Sequence, residues 1–203
     1  MVKERNMIQT RYGVFETNSS SVHSICISKE KTKSAHRMVH LRFGEYGWER
    51  DEYSASDYLW TAILLLKSYN YDESKRCYSY KRVPDVEKHI QDVLSKYGVK
   101  RVVFEYPKRN TLEPEDSWYK YESEPEIDHF YETDGFVNSC LENDDLLVRV
   151  ILGDSCVYTG NDNECDLDDM CFVADTDAVW RNPDNKQHPK YDPEHYDYFM
   201  KGN

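Results

Sequence analysis

The run LWTAILLL, Leu59 to Leu66, narrows most sharply what this chain can fold into. It has one polar member, Thr61, and is far shorter than the roughly 20 apolar residues that cross a bilayer. It therefore predicts a helix buried in a globular core. Leu59, Ala62, Ile63 and Leu66 recur at helical spacing, and Leu64 and Leu65 widen the stripe. Ser54 followed three residues later by Asp57 predicts a capping box, so the helix is expected over 54–69. A second helix is expected over 84–97. Pro84 suits its first position, Val86, Ile90, Val93, Leu94 and Tyr97 share one face, and Gly98 suits a left-handed stop. It runs directly into VKRVVFEY, a strand rich in β-branched residues.

Short strands surround these helices: YGVFET, VHSICIS, SCVYTG, CFVAD, and MVHLRFGEYGWE, which breaks at Gly44 and Gly47. FVNSCLENDDLLVRVILGD predicts one or two short helices, with Asp144 or Asp145 capping the second. The expected class is α+β, a mixed sheet with two main helices. A single domain is expected over residues 1–180, with 107–126 as a polar loop excursion. Residues 181–203, with three prolines and little apolar periodicity, read as a surface-lying polar tail. Charged residues make up 32% of the chain, but 39% hydrophobic content and 17 tyrosines supply the bulk that disordered chains lack.

The six cysteines form no CxxC pair and read as free thiols of a reducing compartment. Cys156, Cys165 and Cys171 offer a zinc reading, without the paired short spacings such sites use. The N-terminus MVKERNMIQTRYG carries charge with no apolar region behind it, so no secretory signal is expected and the cytosol is the expected location. The net charge of -12 conceals a split. Residues 1–110 hold 20 Lys and Arg against 14 Asp and Glu, a balance of +6, and residues 111–203 hold 6 against 24, a balance of -18. Two functional readings follow. The acidic half gathers cations for chemistry on phosphates drawn in by the basic half, or it imitates a nucleic-acid backbone and fills a basic groove on another protein.

FETNSSSVHS, Phe15 to Ser24, concentrates the polar chemistry. Glu16 and His23, within about 2.6–3.2 Å of each other, would serve as acid and base. Asn18, Ser19, Ser20, Ser21 and Ser24 would cradle phosphate oxygens with turn N–H groups. The plainer alternative is that His23 shares a strand face with Ile25 and Ile27, as a core histidine does, while the serines bond their own turn. Glu45 and Asp162 are candidate supporting carboxylates or ligands for Mg²⁺ or Mn²⁺, and Trp48 is a candidate base-stacking residue. TGNDNE places Asn161 and Asp162 past a strand end, out of register for an EF-hand. Asp128 and His129 are adjacent, so in an extended segment they point apart and cooperate only if the backbone bends. No GxSxG, P-loop, dinucleotide fingerprint or HExxH occurs.

Four segments, FETNSSSVHS, FGEYGWE, IDH and SCVYTGNDNE, together resemble a family of uncharacterised proteins of phages and mobile elements of Firmicutes. They span residues 15–164, and IDHFYE departs from a more serine-bearing continuation in that family. The resemblance implies a bacterial-cytoplasmic, phage-type setting and no particular activity. Joined to the residue reading, it sets two expectations. One is a phosphodiesterase, nuclease or nucleotide hydrolase with an anti-defence role. The other is a non-enzymatic acidic inhibitor that blocks a basic host defence protein.

Overall fold

A computed structural model describes residues 21–31, 37–47, 52–72, 77–111, 121–161 and 194–201. The chain is α+β. Strand β1 (Ser21–Ser28) lies between β9 (Cys156–Asn161) and β10 (Tyr196–Lys201), antiparallel to both, and β4 (Glu52–Ser54) extends the sheet beyond β9. Two parallel pairs stand apart from it. β2 (Met38–Leu41) joins β7 (Arg101–Phe104), and β3 (Glu45–Tyr46) joins β8 (Glu126–Ile127). β5 (Tyr69–Asp72) and β6 (Cys77–Tyr80) form an antiparallel hairpin.

Helix α1 (Ala55–Ile63), continued by a π-helical turn over Leu64–Ser68, is the hub of the apolar core. Tyr58, Leu59, Trp60, Ala62, Ile63 and Leu64 are all buried, on every side of the helix, while Leu66 is only half-buried. A helix apolar all round belongs inside a core, and here elements meet it from several directions. The Trp60 ring meets Phe104 at a tilt, centroids 5.0 Å apart, and Tyr106 edge-on, centroids 5.4 Å apart, and its Nε1–H donates to the Glu105 carbonyl at 2.6 Å.

The expected capping box at Ser54 does not form. The Ser54 hydroxyl bonds that of Ser56 at 2.7 Å, and the Asp57 carboxylate accepts the Arg42 backbone N–H at 3.0 Å. Asp57 thus ties the loop after β2 to the helix instead of capping it. Burial pushes its carboxyl up from the ordinary aspartate range.

Helix α2 (Pro84–Ser95) begins at Pro84, and Gly98 adopts φ +88° just past its end. Ile90, Val93 and Leu94 are buried, and Val86 and Tyr97 pack partly buried against the core. At its first turn Arg82 grips Glu87 with Nε–H at 2.8 Å and Nη2–H at 2.5 Å, and the Tyr106 hydroxyl donates to the same carboxylate at 2.7 Å. The Arg82 hydrogen bonds hold the Glu87 carboxyl below its ordinary value, aided by Tyr106. A depressed carboxyl stabilises the fold above its unfolded pKa and loses that contribution as pH falls through the folded one. Glu87→Gln is therefore expected to lower stability at neutral pH by about 1 kcal/mol and to flatten its decline below about pH 4.5, read by urea unfolding. Equal destabilisation at every pH would contradict this.

Helices α3 (Asp134–Glu142) and α4 (Asp144–Leu152) are two short helices, as expected there, but neither Asp144 nor Asp145 caps the second. Asn143, with extended backbone, accepts the N–H groups of Asp145 at 3.0 Å and Leu146 at 3.1 Å. The two aspartates occupy the first turn, where Asp144 meets Lys96 at 2.9 Å and Asp145 meets Lys31 at 2.5 Å.

The end of the expected polar tail is also different: YDYFMK is β10. Asp197 accepts from Arg149 Nη1 at 2.7 Å, Lys29 N–H donates to the His195 carbonyl at 2.8 Å, and Tyr196 packs on Cys26 and Cys156. Those two cysteines are register partners across β1 and β9, and both are buried, as is Cys140. Of the residues in the zinc reading, Cys165 and Cys171 lie outside the described residues. No helix among the described residues is long and apolar enough to cross a membrane.

Candidate functional site

Strand β1 opens at Ser21, whose Cα partner is Asn161 at the end of β9. The register thus joins two of the segments that carry candidate residues. Two positions on, His23 points into the core and is fully buried, beside Ile25 and Ile27 of the same strand face. Its Nε2 lies 3.0 Å from the Gly47 carbonyl, which can only accept, so Nε2 carries the hydrogen. Nδ1, 2.8 Å from the Tyr58 hydroxyl, then accepts from it in the neutral ring. The Tyr58 ring meets the imidazole edge-on at 5.5 Å, and burial drives its phenol well above the ordinary range. This is the plainer of the two expectations for His23. Its burial and its two hydrogen bonds are those of a core histidine.

Ser24, on the opposite face of β1, is buried as well. Glu16, Asn18, Ser19, Ser20, Trp48 and Asp162 lie outside the described residues. Glu45 is exposed on β3, opposite Glu126 in register, while its neighbour Tyr46 is buried. Strand alternation accounts for that split.

The segment after β8 bends. Asp128 N–H donates to the Tyr46 carbonyl at 3.3 Å, continuing the pairing with β3. His129 then turns into the left-handed region at φ 50°, ψ 44°, where no other non-glycine residue among those described is found. A 3-10 turn over Phe130–Thr133 follows, closed by Glu132 N–H on the His129 carbonyl at 3.0 Å. The bend supplies what adjacency alone denied: Asp128 Oδ1 comes to 3.6 Å from His129 Nε2. On the other side of the ring, Nδ1 is 2.7 Å from the Tyr131 hydroxyl and 4.0 Å from Glu132 Oε1. The imidazole is 28% exposed and Tyr131 is 60% exposed. Asp128 Oδ2 is out of solvent with no hydrogen-bond partner among the described residues. A shielded carboxylate oxygen in that state is uncommon and asks for a reason.

These places connect. His23 Nε2 holds the Gly47 carbonyl, Asp128 holds the Tyr46 carbonyl one residue earlier, and Tyr58 joins His23 on one side and feels the Glu132 charge on the other. Strand β1 at His23, strand β3 and the 128–132 bend thus meet in one region, with His23 and Tyr58 as its buried brace. Sequence reading missed Tyr58, Tyr131 and Glu132. The spacing of Asp128 and Glu132, four apart around a histidine, was the available signal for the last two.

For the expected Mg²⁺ or Mn²⁺ ion, the described residues contain no group of three or more His, Cys, Asp or Glu side chains able to hold a metal. No family model, no curated protein and no solved structure matches this chain.

Proposed function

We propose that this chain acts on a phosphate-containing substrate, a nucleic acid or nucleotide, with His129 as the proton-transfer group. Asp128 and Tyr131 orient the ring, and His23 with Tyr58 supports the region from below. The observation that carries the reading is the left-handed turn at His129, which sets a solvent-reaching imidazole beside a carboxylate with an unpartnered oxygen. Left-handed backbone at a non-glycine residue costs energy and persists where the surroundings enforce it, often at functional sites. An imidazole so placed takes a proton from attacking water and returns it to the leaving oxygen, the ordinary work of general acid–base hydrolysis. In the phage-type setting suggested by FETNSSSVHS and its companion segments, an anti-defence nuclease or nucleotide hydrolase is the corresponding role.

The test is turnover of RNA, DNA and a nucleotide panel, with and without Mg²⁺ or Mn²⁺, by the wild-type protein and by His129→Asn. Asparagine tolerates the left-handed backbone, so the variant keeps the bend. A loss of about 100-fold to 10,000-fold is expected. Undiminished turnover in the variant, or no turnover of any substrate, contradicts the reading. The second outcome, joined to tight salt-sensitive binding of a basic nuclease, favours the acidic inhibitor instead, which draws on the -18 balance of residues 111–203.

A further inference from the structure

The β5–β6 hairpin presents tyrosines where a core-building hairpin would hide them. In its register Tyr69 faces Tyr80 and Tyr71 faces Tyr78. Lys81 N–H donates to the Ser68 carbonyl at 2.9 Å, making Ser68 and Lys81 a hydrogen-bonded position. Tyr69 and Tyr80 therefore form the adjacent non-hydrogen-bonded pair, where facing side chains come closest. Their ring centroids are 5.7 Å apart, and Tyr121 continues the row at 5.3 Å from Tyr80, its hydroxyl accepting the Tyr80 N–H at 3.3 Å. Tyr69 is 41% and Tyr71 51% exposed. Strand alternation puts Tyr69 and Tyr71 on one face, about 7 Å apart along the strand.

The surround is cationic. Lys67 and Lys81 bracket the hairpin and are exposed, Arg82 follows, and Lys108 and Arg109 border Tyr121 through the Arg109–Tyr121 bridge. Against these stand Glu122 and Glu124, the latter close enough to act on the Tyr69 phenol, and Glu87, which is engaged with Arg82. Among the described residues these five cations stand beside the aromatic row, against Glu87, Glu122, Glu124 and Asp72 of β5.

We infer that this tyrosine row is a binding surface for single-stranded nucleic acid, with bases stacking on Tyr69 and Tyr71 and the backbone running along Lys67, Lys81 and Arg109. Every base offers a π face to a tyrosine, and a polyanion complements the cations, which is how sequence-tolerant single-strand binders work. Duplex DNA keeps its bases stacked on each other and cannot use the row. The π-helical turn that leads into β5 packs against the 3-10 turn carrying Tyr131 and Glu132, so a strand lying here runs toward His129. The inference deepens the reading above by naming the substrate class, and it rests on that reading only for the link to chemistry.

The test is fluorescence anisotropy with labelled single strands of about 12 nucleotides, DNA and RNA, beside the matching duplex, at two salt concentrations. Wild-type protein is expected to bind the single strands more tightly than the duplex, and less tightly at higher salt. Tyr69→Ala and Tyr71→Ala should each weaken binding about 10-fold, and Tyr71→Phe should retain it, because the ring and not the hydroxyl stacks. Both residues are partly exposed, and circular dichroism checks that each variant is folded. Absence of binding overturns the inference. So does equal binding of duplex, or affinity unchanged in both alanine variants. Single-strand binding that depends on the tyrosines without any turnover leaves this inference standing and removes the acid–base reading. Nucleotide turnover without oligonucleotide binding does the reverse.

Discussion

His23→Ala is expected to lower the free energy of unfolding by about 3–5 kcal/mol. Two costs combine. Removing a fully buried imidazole leaves a cavity in a region closed by Tyr58, Ile25 and Gly47, which the short strands cannot collapse to fill. It also strips partners from the Tyr58 hydroxyl and the Gly47 carbonyl, and an unsatisfied buried polar group costs about 1–3 kcal/mol. Urea unfolding reads the loss as a lower midpoint at unchanged slope. A residue whose business is proton transfer at a surface would show the opposite pattern, with stability nearly intact and activity gone. A loss under about 1 kcal/mol would therefore return His23 to the catalytic reading.

Trp60→Ala is expected to cost about 3–5 kcal/mol as well, through cavity formation. Trp60 stands between α1 and β7, in ring contact with Phe104 and Tyr106, and its indole N–H is tied to the Glu105 carbonyl. Its ring contacts with Phe104 and Tyr106 join β7 to the helix, so the damage should extend to the β2–β7 pair. Hydrogen exchange is expected to accelerate in Val102–Phe104 more than in β1 or β9. Uniform acceleration would mean that the core fails as a whole and that Trp60 has no special hold on β7. Trp60→Phe, which keeps a ring between Phe104 and Tyr106, should recover most of the loss.

Much of the frame was legible in the sequence, and the reasons are physical. The α1 region announced itself by an apolar run too dense for a surface helix, and α2 by Pro84, its stripe and Gly98. Such signals are local and need no knowledge of partners. The misreadings concern residues with more than one available bond. Asp57 suited a capping box by spacing, but the Arg42 N–H competes for its carboxylate. Asn143 caps α4 because its amide oxygen reaches two N–H groups at once, which the neighbouring aspartates made easy to overlook. YDYFMK was obscured by the prolines before it and by Asp197, whose charge is answered by Arg149, distant in sequence.

The site divides along the same line. His23 between alternating isoleucines carried the signature of a core histidine, and that alternation proved more informative than the wealth of polar neighbours in FETNSSSVHS. The pairing of Asp128 with His129 required a backbone bend, and no glycine or proline advertised one. Its cause is tertiary: β8 ends on β3, and the 3-10 turn must begin at once to deliver α3 to the core. The juxtaposition of Ser21 with Asn161 is likewise a matter of strand register, which neither segment states alone.

Long-range ¹H–¹⁵N correlation spectra of the imidazoles test most directly the claim that one histidine braces the core while another faces the substrate. With the His23 signal identified by its disappearance in His23→Asn, the account predicts a single fixed tautomer protonated at Nε2, its exchange with water slow. A His23 ring protonated at Nδ1, or one averaging rapidly between tautomers as open imidazoles do, would contradict it.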